Sequence, residues 1–135
     1  MILCDTGPIV ALLNRKDPLH SRCTNVAQTI PDTFLTTQAC ITEAMYLLGR
    51  DTGYPGIDLL WRFLDGGLLT VAECSSASLP EIRRLMDRYK DLPCDYADAT
   101  LVSLANETDI RTIFTIDSHF HAYRLVDGTA LEVIG

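Results

Sequence analysis

The sequence has no long hydrophobic run. Its longest apolar stretch, Pro8 to Leu13, is far too short to span a bilayer. No basic segment opens the chain, and Met1-Ile2-Leu3-Cys4-Asp5 brings an acid early, so a signal peptide is not expected. The five cysteines, Cys4, Cys23, Cys40, Cys74 and Cys94, are widely spaced and include no Cys-x-x-Cys pair. They read as reduced, mostly buried residues of a cytoplasmic protein, not as a disulfide framework or a thiolate zinc site. Internal repeats, low-complexity tracts and long linkers are all missing. Gly7 stands alone where a nucleotide-binding domain would carry a Gly-rich loop. No Ser-His-Asp or Cys-His arrangement stands out for nucleophilic catalysis. Positive charge is scarce too: 11 Lys and Arg face 18 Asp and Glu, a net charge of −7. That balance argues against a simple electrostatic binder of nucleic acid.

What remains is an ordinary globular composition, 47% hydrophobic and 21% charged over 135 residues. It predicts one domain, residues 1–135, with room for a sizeable core. Strands are predicted at Ile2–Asp5, Phe34–Thr36, Leu68–Ala72, Arg111–Asp117 and, as an edge, Leu131–Ile134. Helices are predicted at Pro8 to about Asn14, His20–Thr29, Gln38–Leu48, Ile57–Leu64, Leu79–Tyr89, Asp95 to about Glu107 and, briefly, His119–Tyr123. Gly49 serves as a helix stop, and Asp51 to Gly56 reads as a loop. Strands alternating with helices imply an α/β fold, a three-layer α/β/α arrangement around a mostly parallel sheet of four to five strands.

Five acids occupy positions that resist them. Asp5 ends Ile2-Leu3-Cys4, and Asp117 ends Ile113-Phe114-Thr115-Ile116. Glu43 sits within an apolar helix, while Asp95 and Asp98 open another at i,i+3 on one face. An isolated buried carboxylate is costly, so the five are expected to converge on one cation. In such folds ligands bind beyond the carboxyl ends of the strands, where Asp5 and Asp117 fall. Removing these five changes the balance from 11 − 18 to 11 − 13, or −2, so much of the acidity belongs to one site. Carboxylate oxygens favour Mg2+ or Mn2+, whose chemistry suits phosphodiester hydrolysis by water with no covalent intermediate. Thr6 and Thr115 flank two of the acids and are placed to donate hydrogen bonds to them.

Taken in order, Ile2-Leu3-Cys4-Asp5-Thr6-Gly7, Glu43, Asp95-Tyr96-Ala97-Asp98-Ala99 and Phe114-Thr115-Ile116-Asp117-Ser118-His119-Phe120 resemble a PIN domain. More narrowly, they resemble the VapC-type toxins of toxin–antitoxin pairs. The resemblance covers essentially the whole chain. It implies a metal-dependent endoribonuclease that leaves a 5′-phosphate. Asp5, Glu43, Asp98 and Asp117 match the metal-binding and catalytic positions. Asp95 matches an acid found in part of the family and reads equally as a helix cap. The resemblance also implies a homodimer, an RNA substrate and a small cognate antitoxin. The helix Ile57–Leu64, apolar on more than one face, calls for a partner surface.

Bland readings exist for the acids too, with Asp5 and Asp117 as helix caps, Glu43 as a surface residue and Asp98 as a first-turn acid favoured by the helix dipole, and for other residues. His119 and His121, at i,i+2, share no helix face and are assigned surface or structural roles. His20 reads as solvent-facing. Trp61 and Phe63 are expected as core or interface anchors rather than base-stacking platforms. The clusters Arg15-Lys16 and Arg83-Arg84, Arg88, Lys90 read as solvated surface, with phosphate contact as the other reading. Among rival functions, a receiver or phosphatase domain wants a late lysine, and none follows Lys90. A dehalogenase-type phosphatase wants an acid where Gly7 stands. A non-catalytic PIN-like module would not need all four matching acids.

Overall fold

The structure, a computed structural model, describes residues 1–135. Its strands are β1 (Ile2–Cys4), β2 (Phe34–Thr37), β3 (Leu69–Ala72), β4 (Thr112–Phe114) and β5 (Glu132–Ile134). The helices are α1 (Thr6–Leu13), α2 (His20–Thr29), α3 (Gln38–Thr52), α4 (Tyr54–Asp65), α5 (Leu79–Arg88) and α6 (Tyr96–Thr108). Short 3-10 turns cover Ser76–Ser78 and Ser118–His121. No helix is long and apolar enough to cross a membrane.

The sheet order is β3-β2-β1-β4-β5, and every neighbouring pair is parallel. The expected architecture is present, with a sheet that is wholly rather than mostly parallel. From β1 the chain winds outward through β2 to β3. It then crosses to the other side of β1 and adds β4 and β5. The reversal point lies between β1 and β4, where a crevice opens beyond the strand ends. The register pairs Cys4 with Phe114, so Asp5 emerges beside Thr115.

Alternation along the strands feeds two cores. Leu3 and Ile113 point into one, with α5 and α6; Cys4 and Phe114 point into the other, with α1 and α4. Helix α6 is buried from Ala97 through Ala105, as a helix covering the middle of a sheet must be. Four cysteines are buried and Cys74 is exposed; all five are free, as expected.

Several local expectations fail for identifiable reasons. Helix α3 runs through Gly49 to Thr52, and the expected loop at Asp51–Gly56 shrinks to Gly53, which has a φ of 75°. Gly49 is there for packing: an added Cβ would lie 3.0 Å from Ile57 Cδ1. Gly56 is likewise pressed against Thr52 of α3. The two glycines let α3 and α4 approach closely. The buried stripe of α3 is Cys40, Ala44 and Leu48, leaving Tyr46 exposed. His20 is not solvent-facing, because its Nδ1 lies 2.7 Å from the Ala11 carbonyl. Phe63 packs against the second core, whereas Trp61 is half exposed.

Candidate metal centre

Asp5 leaves β1 and caps α1. Its Oδ1 accepts from the Thr6 N–H at 2.7 Å. Its Oδ2 accepts from the Thr115 hydroxyl at 2.8 Å. That hydroxyl also accepts from the Asp117 N–H at 3.0 Å. One buried threonine thus ties the two strand-end acids together. Thr115 serves Asp5 through its hydroxyl. Thr6 serves it through its backbone N–H, while its hydroxyl turns to the Cys40 carbonyl at 3.5 Å.

Asp95 and Asp98 arrive from the start of α6. Asp95 caps the helix, accepting from the Asp98 N–H at 2.8 Å, and its remaining surface faces the same cavity. Capping and cavity lining are therefore both true of it. Asp98 is buried, and its Oδ2 accepts from the Tyr123 hydroxyl at 2.8 Å. Glu43, on the exposed side of α3, makes no hydrogen bond or ion pair and projects along the cavity wall.

The cavity holds about 410 Å³ and is lined by Asp5, Thr6, Gly7, Glu43, Asp95, Asp98, Ile116, Asp117 and Ser118. All five acids named from the sequence line it. Gly7 keeps it open and lets α1 lie against the end of β4, since a Cβ there would sit 2.8 Å from Ile116 Cγ1. Its neighbour β4 supplies Ile116 and Asp117 just past the strand.

The electrostatics follow from crowding. Burial pushes the Asp5 carboxyl up to about 6, against the pull of its hydrogen bonds from Thr115 and Thr6; the nearby Asp117 and Glu43 charges add to the rise. Asp98 is raised further by burial, with Asp95, Asp5 and Asp117 adding repulsion, although the Tyr123 hydrogen bond opposes the shift. Partial loss of hydration, then Asp95, raises Glu43. A set of oxygen donors whose ionised forms are this disfavoured fits a hard divalent cation. Asp98, Asp117 and His119 each present a ligand atom, all within 4.8 Å of one another. Burial raises the nearby Cys94 thiol to about 11, so no thiolate competes at neutral pH.

A PIN domain profile matches residues 2–125. The chain belongs to the PIN domain family. It is 28% identical over 134 residues to Ribonuclease VapC26 of Mycobacterium tuberculosis, covering 98% of this chain and 99% of that one. Its fold is similar to the crystal structure of Mycobacterium tuberculosis VapC20, described as a Sarcin-Ricin loop cleaving toxin. That match has a TM-score of 0.84 at 19% identity, over 94% of this chain and 98% of that chain.

Two residues at the site of this PIN domain lie outside the acid set expected from the sequence. Tyr123 lies beyond the last 3-10 turn, and nothing in the local pattern singles it out as a partner of Asp98. His119, assigned to the surface or to structure, sits at the rim with Nδ1 3.5 Å from Asp117 Oδ1. The run Asp117-Ser118-His119 is the one available signal, since Asp117 also accepts from the His119 N–H at 2.9 Å.

Proposed function

We propose that this PIN domain is a Mg2+- or Mn2+-dependent endoribonuclease and the toxin of a toxin–antitoxin pair. The convergence of Asp5, Glu43, Asp95, Asp98 and Asp117 on one polar cavity carries the reading. The name of the VapC26 relative agrees with it. Asp5, Glu43, Asp98 and Asp117 would hold the ion, with Asp95 as a fifth acid at the edge. When bound, the ion supplies positive charge that stabilises a phosphodiester under attack and makes water more acidic. The chain supplies orientation. Thr115 fixes Asp5 relative to Asp117, Tyr123 fixes Asp98, and Glu43 remains free to accept a proton from water. Attack by water on the phosphorus, with the P–O3′ bond breaking and the 3′ oxygen taking a proton as it leaves, would give a 5′-phosphate and a 3′-hydroxyl.

The proposal includes a second copy and a small antitoxin, acting in the cytoplasm. Tyr46, Tyr54 and Trp61, at 68%, 67% and 50% exposure on α3 and α4, support a protein partner on that side. The test is RNA cleavage by the purified chain with and without EDTA, beside Asp5→Asn and Asp98→Asn. Equal cleavage by all three proteins would reject the proposal. Full activity in chelator would reject metal dependence by itself.

A further inference from the structure

Away from the acids, the largest cavity is a groove of about 1030 Å³ between α5, α6 and the chain following Tyr123. Arg84 and Arg88, four residues apart on α5, share one of its walls, and Arg124 supplies another. None of the three is in an ion pair; the Arg124 guanidinium donates only to the His121 and Tyr123 carbonyls. Two acids also line the groove. The Glu81 carboxylate is occupied by Ser103 Oγ at 3.0 Å and Asn106 Nδ2 at 2.7 Å. Glu107 is the other, beyond Asn106 on α6. A chain of net charge −7 thus places three guanidinium groups against two carboxylates around one open groove, with no ion pair between them.

The groove is connected to the acid pocket through packed side chains. Arg88 stacks over Tyr89 at 5.1 Å, Tyr89 packs edge-on against Tyr123 at 5.1 Å, and Tyr123 donates to Asp98. The Tyr89 hydroxyl accepts from the Arg124 N–H at 3.0 Å. The side chains of Tyr89 and Tyr123 thus form a line of contacts from the arginine groove to the acid pocket.

We propose that Arg84, Arg88 and Arg124 form a seat for the phosphate backbone of a single RNA strand, on the stretch flanking the scissile bond. The ligand class rests on the ribonuclease reading above. Guanidinium groups suit phosphate oxygens bidentately. They position the strand without reading its bases. The acid pocket repels a strand, so an attractive surface beside it is what brings RNA to the metal.

The experiment is fluorescence anisotropy of a labelled single-stranded RNA titrated with the full chain in EDTA, across a salt series. The wild type is compared with R84Q/R88Q/R124Q, with the single reversal Arg84→Glu, and with R15Q/K16Q as a basic-pair control elsewhere. The triple variant should lower the log–log salt slope by about 2, roughly 0.7 for each phosphate no longer neutralised. Arg84→Glu, at an exposed position, should weaken binding without disturbing the thermal melt, and R15Q/K16Q should leave the slope unchanged. An unchanged slope in the triple variant overturns the proposal, as does an equal drop in R15Q/K16Q. Wild-type binding with no salt dependence also overturns it. So does a triple variant that keeps RNA but no longer binds a poly-glutamate peptide, which would make the groove a seat for an acidic protein segment. Cleavage plays no part in this readout. A chain that binds through the groove but cuts nothing defeats the ribonuclease reading alone; a chain that cuts with an unaltered slope defeats the groove alone.

Discussion

The acid pocket has two walls, built differently. The strand wall carries Asp5 and Asp117, whose places are set by the β1–β4 register and locked by the Thr115 hydroxyl. The helix wall carries Asp98, Asp95 and Glu43, each held by a different device: a phenol, a cap and nothing. The strand wall is fixed by the same backbone ladder that makes the sheet. The helix wall is fixed by side chains that arrive from elsewhere in the fold. Rigid placement by the backbone costs a side chain little freedom on ligand binding, whereas an untethered Glu43 must be ordered at that moment. The pocket thus pairs a preset half with an adjustable half.

The largest expected effects break the contrast at its two buried acids. Asp5→Asn and Asp98→Asn should each lower the rate of RNA cleavage roughly a hundredfold or more at saturating Mg2+, the scale seen when one oriented charge-stabilising group is removed. The check is initial rates on a labelled RNA. Glu43→Gln should lower cleavage without lowering the metal-free melting temperature, because Glu43 makes no bond that folding depends on. A Glu43→Gln chain as destabilised as one with a broken cap would contradict the picture of an untethered acid.

Next comes the response to pH and metal. Asp5 has an ordinary value of 3.8, raised to about 6 in the folded chain, and Asp98 moves in the same direction. A carboxyl with a raised folded value binds protons more tightly when folded. Its stabilising contribution is full below 3.8 and disappears as the pH rises through about 6. Metal-free protein should therefore lose melting temperature as the pH climbs from acid toward neutral. Added Mg2+ or Mn2+ should restore it by mass action. Thermal melts in EDTA and in millimolar Mg2+ across a pH series decide the point. A metal-free chain most stable at neutral pH would show that the acids are not crowded.

These outcomes bear on how far the sequence alone reaches. Strand-end acids such as Asp5 and Asp117 are legible because a strand ends where its apolar run ends, and parallel topology sends those ends to one edge. Glu43 and Asp98 are legible because an apolar neighbourhood makes each conspicuous. The devices that orient them are not legible. Tyr123 reaches Asp98 from 25 residues away in sequence, a separation at which no period or spacing connects two positions. Adjacency offers the Thr6 hydroxyl to Asp5, but the α1 backbone turns it toward Cys40. Gly49 has the look of a stop because glycine ends many helices, yet helix-to-helix packing against Ile57 uses it mid-helix. Local chemistry sets which residues are candidates; tertiary packing sets what they touch.

Intermediate effects test the tethers. Thr115→Val removes a donor from Asp5 and an acceptor from Asp117 at once. Loss of an orienting partner of this kind costs roughly tenfold to a hundredfold in metal affinity or activity. Tyr123→Phe leaves Asp98 buried without its donor, which costs about 1–3 kcal/mol of stability while the carboxylate is ionised. The loss should shrink as the pH falls below about 8, where Asp98 takes up its proton. The comparison is between the two variants: Thr115→Val should impair metal binding through both strand acids, whereas Tyr123→Phe should impair it through Asp98 alone. Isothermal titration with Mn2+ separates them. Equal losses would mean that the two walls are not independent.

The smallest effect belongs to Asp95, whose carboxylate both caps α6 and lines the cavity. Asp95→Ala removes the cap and should cost about 1 kcal/mol, a few degrees in melting temperature for a domain of this size. Asp95→Ser keeps a capping oxygen and removes the charge, so it should recover most of that stability. If Asp95 is only a cap, Asp95→Ser cleaves RNA like the wild type at every Mg2+ concentration. If it belongs to the helix wall as a ligand, Asp95→Ser is stable but needs more Mg2+ to reach the same rate. Because Asp95 also raises Asp98 and Glu43, its removal should lower the proton affinity of both. The loss of metal-free stability with rising pH then becomes shallower, which ties Asp95 to the titration of Asp98.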